Sequence, residues 1–208
     1  MANQLLNRYG VLTRESAAIE NLPGGFSAIY DVLKALEESG RIRRGYFVAG
    51  LGATQFALPA AVDLLRSLRG GPPVEKPEMV TLAATDPANL YGSVLRWPAA
   101  ATLTRSAGAS VVLRNGELAA YMRRNNPNVQ VFLPGDEPER SATARDLSVF
   151  LAGLAQQDME GREDHRGGML ITTINGEPAA QDFLAPFLQD AGFHVAPQGL
   201  NFRRVVHA

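Results

Sequence analysis

The 208-residue sequence contains no cysteine, one tryptophan and three histidines. Without cysteine, neither a disulfide framework nor a thiolate metal site can form. No apolar run approaches the ~18 residues that cross a bilayer. The opening MANQLLNRYG lacks the basic start and apolar stretch of a signal peptide. These absences predict a chain that has no membrane partner and resides in the cytoplasm.

Two nucleotide-binding motifs are also absent. The phosphate loop Gly-x-x-x-x-Gly-Lys-Ser/Thr does not occur, so the chain is not expected to hydrolyse ATP through such a loop. Gly50-Leu51-Gly52 lacks the third glycine and the following helix of a dinucleotide fingerprint, and it predicts a turn instead. We therefore expect no cofactor in this chain.

The basic residues are unevenly placed. The net charge of −1 argues against a protein covered by nucleic acid. However, Arg41-Ile42-Arg43-Arg44 is followed by no acidic residue until Asp63, and Arg123-Arg124 and Arg203-Arg204 form two further pairs. Local clusters of this kind matter more to nucleic-acid binding than the total charge does. The hydrophobic fraction of 46% is otherwise typical of a globular protein with a substantial core.

The first 70 residues predict a winged helix. Thr13 suits the N-cap of a second helix, and Gly40 suits the C′ position that ends a third. Apolar residues at spacings of three and four, beginning with Phe26 and Ile29, give the third helix one apolar face. The predicted elements are helices at 4–9, 14–20, 26–39 and 59–68, and a hairpin of strands at 41–48 and 54–58. Three helices followed by a hairpin is the order of a winged helix, a variant of the helix-turn-helix.

A second domain is expected after the linker-like Gly70-Gly71-Pro72-Pro73. We place the winged helix with its trailing helix at 1–70 and the second domain at 71–208. Asn115-Gly116 between apolar runs is a strong hairpin signal, and Asn175-Gly176 repeats it. The predicted elements are strands at 79–84, 109–113, 117–122, 129–133, 169–174 and 200–206, and helices at 140–157 and 182–190. The sequence thus predicts an α+β protein, in which a winged helix is followed by a mixed α/β, β-barrel-like domain.

The winged helix supplies the candidate nucleic-acid contacts. Polar side chains on helix 26–39 would reach base edges or phosphates, guanidinium groups on the wing suit phosphates, and an aromatic ring there could stack on a base. The candidates are Arg14, Ser27, Tyr30, Lys34, Arg41, Arg43, Arg44, Tyr46 and Gln55. The alternative is a protein-binding surface, because Asp31, Glu37 and Glu38 make the helix only weakly basic.

Asp86 is the candidate catalytic residue of the second domain. It precedes Pro87 at a predicted strand end, with Tyr91 and Trp97 nearby. A carboxylate could activate water beside an extruded base that stacks on these two rings. The alternative is that Asp86 closes a turn by accepting a backbone hydrogen bond.

Histidine supplies no convincing metal or catalytic site. His165 lies in a polar loop with Glu160, Glu163 and Asp164, which is metal-ligand composition but more typical of a solvated loop. His194 and His207 are isolated in the sequence. We therefore predict no metal site.

Several motifs match one known family. They are RYGVLTR at 8–14, PGGF at 23–26, RGYFVAGLG at 44–52, AATDPAN at 83–89 and NGE at 115–117. In these motifs the chain resembles the large helicase-related (Lhr) family of bacterial DNA-repair helicases. The resemblance weakens after about residue 135.

This resemblance implies a larger parent protein. Its motor domains, which use ATP and Mg²⁺, would precede this segment, as the missing phosphate loop also indicates. The chain would be part of the carboxy-terminal region, where a winged helix adjoins a β-barrel-like module. Its expected partners are DNA, single-stranded or forked, and the rest of the helicase.

The resemblance also raises the question of base excision. Bacterial alkylpurine glycosylases of similar architecture use a Gln-x-Gln motif, which does not occur here, and Gln55 stands alone. Some Lhr proteins are linked to uracil-DNA glycosylase activity, although no catalytic residue can be carried over from them. Three hypotheses therefore remain, namely a DNA-binding module, a uracil-DNA glycosylase acting through a residue such as Asp86, and a protein-interaction platform.

Overall fold

The computed structural model describes residues 1–69, 76–98, 103–161 and 167–203. The chain divides into two compact units. The first comprises residues 1–75 and 90–97, and the second comprises residues 76–89 and 98–208. The predicted boundary at residue 70 falls outside the described residues and stays a prediction.

The first unit contains the predicted helices and hairpin, plus one additional short strand. Its elements are α1 Ala2–Tyr9, β1 Val11–Leu12, α2 Arg14–Ile19, α3 Ser27–Glu38, β2 Arg43–Gly45, β3 Gln55–Ala57 and α4 Pro59–Arg69. The three strands form an antiparallel sheet in the order β1-β3-β2. Strand β1 is not predicted from the sequence, because a strand of two residues has too short a pattern to detect.

Local interactions explain where the helices of this unit begin and end. The Thr13 hydroxyl accepts a hydrogen bond from the Ser16 amide at 3.2 Å, and the Ser16 hydroxyl accepts one from the Thr13 amide at 2.9 Å. This reciprocal pair is a capping box, and it fixes the start of α2. Gly40 has a φ of 73°, so it ends α3 in a left-handed conformation that favours glycine. The apolar face of α3 buries Ile29 and Leu33.

The second unit contains two sheets and a long helix. Its elements are β4 Met79–Ala83, β5 Ala109–Arg114, β6 Glu117–Arg123, β7 Asn128–Val131, α5 Glu139–Glu160, β8 Met169–Ile171, β9 Thr173–Ile174, β10 Glu177–Pro178, a 3₁₀ helix Ala179–Gln181, α6 Ala185–Asp190, β11 His194–Ala196 and β12 Gly199–Phe202. The larger sheet has the order β10-β9-β7-β6-β5-β4, and the smaller one β11-β12-β8. Leu147 and Leu151 of α5 are fully buried in a core shared with Val112, Ile171 and Leu200.

The β-barrel-like description of this unit is not confirmed. Closing a barrel requires the first and last strands of a sheet to pair. In the described residues, β4 pairs only with β5 and β10 pairs only with β9, so the larger sheet is open. The coarser prediction of an α+β protein with a winged helix is correct.

The predicted strand over 169–174 is in fact two strands. Thr172 separates β8 from β9, and its amide donates to the carbonyl of Pro127 at 2.8 Å. The two halves join different sheets, since β8 pairs with β12 whereas β9 pairs in parallel with β7. Similarly, the helix predicted from residue 182 begins only at Ala185, because the Asp182 carboxylate accepts a hydrogen bond from the Leu184 amide at 2.8 Å just before it.

Candidate nucleic-acid interface

The wing presents two unpaired guanidinium groups. Ile42 is buried in the core of the first unit, whereas Arg41 and Arg43 on either side of it are exposed. Within the part of the chain that the structure describes, neither guanidinium has a hydrogen-bond or ion-pair partner. Two positive charges therefore remain available to an anion.

Gln55 supports the wing from inside. Its amide oxygen accepts hydrogen bonds from the amides of Phe47 and Val48 at 2.9 and 2.8 Å. Its amide nitrogen donates to the carbonyls of Val48 and Gly52 at 2.9 and 3.0 Å. The residue is completely buried, and all of its hydrogen-bonding capacity is used. The prediction that Gln55 contacts nucleic acid is therefore corrected, because no polar atom of its side chain is left to reach a ligand.

Tyr46 lies on the outer side of the same loop. Its side chain is 61% exposed, and its hydroxyl accepts a hydrogen bond from the Gly50 amide at 2.9 Å. The bond limits the freedom of the ring without covering its face. An exposed ring held in this way is suited to stacking on a base.

Helix α3 is a weaker candidate than the wing for contact with nucleic acid. Lys34 lies 3.8 Å from the Glu38 carboxylate, and the predicted contact Arg44 is 3.3 Å from Glu37. Asp31 is also exposed, so the acidic side chains of this helix outnumber its one lysine. Nearby acids reduce the attraction of Lys34 and Arg44 for phosphate.

Three other predicted contacts have distinct surroundings. Ser27 is exposed in the first turn of α3. Tyr30 is half-buried, with its ring centroid 6.2 Å from that of Phe26 and 6.0 Å from that of Phe56. The Arg14 guanidinium lies 5.8 Å from the centroid of the Phe26 ring, which corresponds to a cation–π contact. Tyr30 thus packs mainly against the core, whereas Ser27 and Arg14 remain at the surface.

Glu15 connects α2 to the wing, a role that is not predicted from the sequence. Its carboxylate accepts a hydrogen bond from the Gly52 amide at 3.3 Å. Burial raises the pKa of Glu15, but hydrogen bonds from its own amide, Thr13 and Gly52 and the positive charge of Arg96 outweigh burial, so its pKa lies below the ordinary glutamate value. Its only sequence signal is an acidic residue in the first turn of a helix, a position that the helix dipole favours.

Asp86 closes a turn in the second unit. One carboxylate oxygen accepts a hydrogen bond from the Ala88 amide at 2.8 Å. The Arg105 guanidinium donates to the carbonyls of Thr85, Asp86 and Asn89 and so holds the same turn from outside. This geometry favours the turn-cap interpretation of Asp86. Arg105 was not anticipated, because nothing in the sequence links it to a turn 16 to 20 residues earlier.

Tyr91 and Trp97 lie together in the first unit, whereas Asp86 belongs to the second. The two rings are stacked, with centroids 6.3 Å apart and planes inclined by 20°. Gly92 lies directly beneath the indole, and a Cβ at this position would collide with it. The rings thus already stack on each other, and stacking on a base stays a prediction.

A groove of about 580 Å³ lies in the second unit. It is formed by β5, β6, the turn before β7, the end of α5 and β8. Its apolar wall includes Met122, Val129, Leu154 and Met169. Its polar lining includes Arg123, Arg124, Asn125, Asn126 and Asp158. The volume falls within the ~300–1,000 Å³ that is typical of small-molecule sites.

Comparisons with known proteins agree on one family. A family model for the winged-helix domain of the large helicase-related protein matches residues 1–77. Over 206 residues, the chain is 36% identical to "Lhr helicase/uracil glycosylase" of Escherichia coli (strain K12). The aligned region covers 97% of this chain and 13% of that protein. Over 214 aligned positions, it is 37% identical to "Lhr helicase/ probable uracil glycosylase" of Mycolicibacterium smegmatis (strain ATCC 700084 / mc(2)155). This aligned region covers 97% of this chain and 14% of that protein. The chain belongs to the large helicase-related (Lhr) family.

This Lhr chain spans only a small part of each relative's length. The similarity reaches beyond the winged helix, because 97% of the chain is aligned. It therefore includes the second unit, for which the sequence motifs become weaker after about residue 135.

Within the described parts of this Lhr chain, no three histidine, aspartate or glutamate side chains are grouped so as to hold a metal ion. His165, with Glu163 and Asp164, lies outside the described residues, and Glu160 accepts a hydrogen bond from Gln156 at 3.0 Å. None of the described helices is long and apolar enough to cross a membrane.

Proposed function

We propose that this chain is a DNA-binding part of the carboxy-terminal region of an Lhr helicase. In this proposal, the ATP- and Mg²⁺-dependent motor belongs to the remainder of the parent protein. The main support is the pair of exposed arginines on the wing, Arg41 and Arg43, whose charges no described acidic residue compensates. Guanidinium groups of this kind contact phosphate oxygens and fix the position of a duplex or strand without reading its sequence.

The wing, rather than α3, is the proposed main contact. Arg44 and Lys34 are close to glutamates, which weakens their attraction for phosphate. The exposed ring of Tyr46 adds a surface on which an unpaired base can stack. We therefore propose single-stranded or forked DNA as the preferred ligand, because stacking on Tyr46 requires a base that is not already paired.

The experiment measures the affinity of the 208-residue chain for fluorescent single-stranded, forked and duplex DNA over a range of salt concentrations. For single strands, each phosphate contact contributes about 0.7 to the slope of log affinity against log salt. We expect the double variant Arg41→Ala/Arg43→Ala to lower this slope by about 1.4. The control is Arg66→Ala/Arg69→Ala, which removes the same charge from exposed positions of α4 and should leave the slope unchanged.

Two results would contradict the proposal. One is the absence of salt-sensitive binding to any of the three DNAs. The other is binding that both double variants weaken equally. The first result would instead favour a protein-interaction platform, for which the acidic residues of α3, including Asp31 and Glu38, are the available surface. The second would mean that DNA binding does not depend on the wing in particular.

Uracil excision is a second candidate function, because both curated relatives carry uracil glycosylase in their names. Base excision requires an extruded base and an activated water. The Asp86 carboxylate is already used to close a turn, so we assign it no catalytic role. Incubating the chain with uracil-containing DNA and scoring abasic sites tests the activity, and an absence of abasic sites at saturating protein would exclude it for this chain alone.

A further inference from the structure

We infer that the groove of the second unit holds one unpaired nucleotide of a DNA strand, an inference that rests on the proposed function. The groove brings together Arg124 and two methionines from different strands, Met122 of β6 and Met169 of β8. The proposed function assigns contacts only to the first unit. The groove would add a contact with one base of the strand.

The apolar wall suits the face of a base. Met122, Leu154 and Met169 are half-buried, so each is packed on one side and open to the groove on the other. Methionine is flexible and polarisable, and it makes favourable contacts with aromatic rings. Such a wall accepts any of the bases, because every base has a planar face.

The charges of the groove suit a phosphate. Arg123 donates to the Tyr121 hydroxyl at 3.1 Å and to the Thr104 hydroxyl at 2.7 Å, so its guanidinium lies on the face of β6 opposite Met122 and is not among the charges that face the groove. The Arg124 side chain has no hydrogen-bond or ion-pair partner in the described part of the chain. The Arg203 side chain lies beside Gly168, which also lines the groove.

Asp158, the one acid among the described residues of the lining, is already engaged. Its carboxylate accepts a hydrogen bond from the Gly168 amide at 3.1 Å. Arg124 packs beside Gly108 in another part of the lining. Among the described side chains in or beside the groove, Arg124 and Arg203 carry two positive charges against the one negative charge of Asp158, which favours an anionic ligand over a cationic one.

Two asparagines that line the groove follow Arg124 in the turn before β7. Asn126 uses its amide oxygen to accept from the Asn128 amide at 2.9 Å, which leaves its amide nitrogen as a donor. Asn125 is exposed, with a φ of 59° that places it at the tip of the turn. An asparagine side chain can both donate to and accept from the edge of a base.

Methionine oxidation provides the test. Dilute peroxide converts methionine to its sulfoxide, and mass spectrometry measures the rate at each position. At a DNA concentration about ten times the dissociation constant, single-stranded DNA should slow oxidation of Met122 and Met169 about tenfold, because only about a tenth of the protein remains free. Met79, which lies in the same unit outside the groove lining, and Met1 serve as internal controls.

Two further ligands identify what the groove recognises. A strand of abasic residues of the same length keeps the phosphates and lacks the bases, so it should bind without protecting Met122 and Met169. A free deoxynucleoside monophosphate at the same concentration should give no protection, because it lacks the contacts of the wing. Protection by the abasic strand, or equal protection by the mononucleotide, would overturn the inference.

Variants separate this inference from the proposed function. Arg124→Ala should reduce the protection of Met122 and Met169 at least fivefold when the DNA concentration is held constant, whereas Arg145→Ala, an exposed arginine outside the groove, should not. If DNA binding depends on Arg41 and Arg43 but leaves both methionines unprotected, the groove inference fails and the proposed function stands. If no DNA binds at any salt concentration, the proposed function fails, and this inference fails with it.

Discussion

Gln55 and Val48 exchange two hydrogen bonds across the base of the wing loop. The amide oxygen of Gln55 accepts from the Val48 amide at 2.8 Å, and its amide nitrogen donates to the Val48 carbonyl at 2.9 Å. A buried glutamine thereby replaces the ladder hydrogen bonds that β3 would otherwise make with this part of the loop. The shape of the loop between β2 and β3, which carries Tyr46, therefore depends on one side chain.

Replacement of this side chain should loosen the wing. In Gln55→Leu the amides of Phe47 and Val48 lose their acceptor, and each buried group left unsatisfied costs about 1–3 kcal/mol. We expect the free energy of unfolding to fall by at least about 2 kcal/mol, and DNA affinity to fall even under conditions in which the chain remains folded. Urea denaturation and DNA binding measure the two effects. Gln4→Leu, at an exposed position of α1, is the matched control, and an equal loss in both variants would contradict this role for Gln55.

The carboxylate of Glu15 should make the stability depend on acid. Its pKa is lowered in the folded state, so the folded protein binds fewer protons than the unfolded chain near that pKa. The resulting stabilisation is fully present above pH ~4.3, the ordinary pKa of glutamate, and is lost as the pH falls through the lower folded pKa. We therefore expect Glu15→Gln to reduce the dependence of the unfolding free energy on pH in this acidic range.

Thermal or urea unfolding of both proteins between pH 3 and pH 7 tests the prediction. Glu117→Gln, at an exposed hairpin position, is the control and should retain the full pH dependence. The role assigned to Glu15 is refuted by an unchanged pH dependence in Glu15→Gln.

Gly92→Ala should separate the stacked rings of Tyr91 and Trp97. A Cβ at position 92 would collide with the indole, and the φ of 74° is unfavourable for alanine. Because Trp97 is the single tryptophan, its fluorescence emission reports the change directly. Gly25→Ala is the control, because Gly25 has a φ of 61° and open space around it. It should cost only the ~1–2 kcal/mol of the left-handed backbone, with unchanged emission.

The role of Asp86 can be decided by a conservative substitution. Asp86→Asn keeps an oxygen that accepts from the Ala88 amide, so the unfolding free energy should change by less than ~0.5 kcal/mol. Asp86→Ala removes the acceptor and should cost about 0.5–1.5 kcal/mol. If the chain excises uracil, Asp86→Asn should retain that activity. If the Asp86→Asn protein folds but lacks an excision activity that the unsubstituted chain has, Asp86 is catalytic after all.

The elements that depend on neighbouring residues were predictable from the sequence. The capping Thr13, the stop at Gly40 and the Asn115-Gly116 hairpin act within a few residues, and each is found where the sequence places it. The parallel pairing of β7 with β9 was not predictable, because it joins segments about 45 residues apart. Nor does the sequence pattern indicate that Thr172 divides one apolar run between two sheets.

The candidate site likewise has some features that the sequence indicates and others that only the packing determines. The exposure of Arg41 and Arg43 follows from the alternation around buried Ile42, which a sequence pattern can indicate. The pairing of Arg44 with Glu37 and the burial of Gln55 depend on how α3 and the loop of the wing pack in three dimensions. The sequence therefore indicates the arginines of the wing, but not which of its polar side chains already have partners, and the contact of these arginines with nucleic acid stays a prediction.

The backbone passes from one unit to the other at residues 75–76, 89–90 and 97–98. A protein shortened after residue 77, where the match to the winged-helix family model ends, would lose the segment with Tyr91, Arg96 and Trp97 that belongs to the first unit. Glu15 would then lose the charge of Arg96. In evolution, recombination after residue 77 would separate segments of the first unit that stabilise each other. The two units are therefore expected to be inherited together.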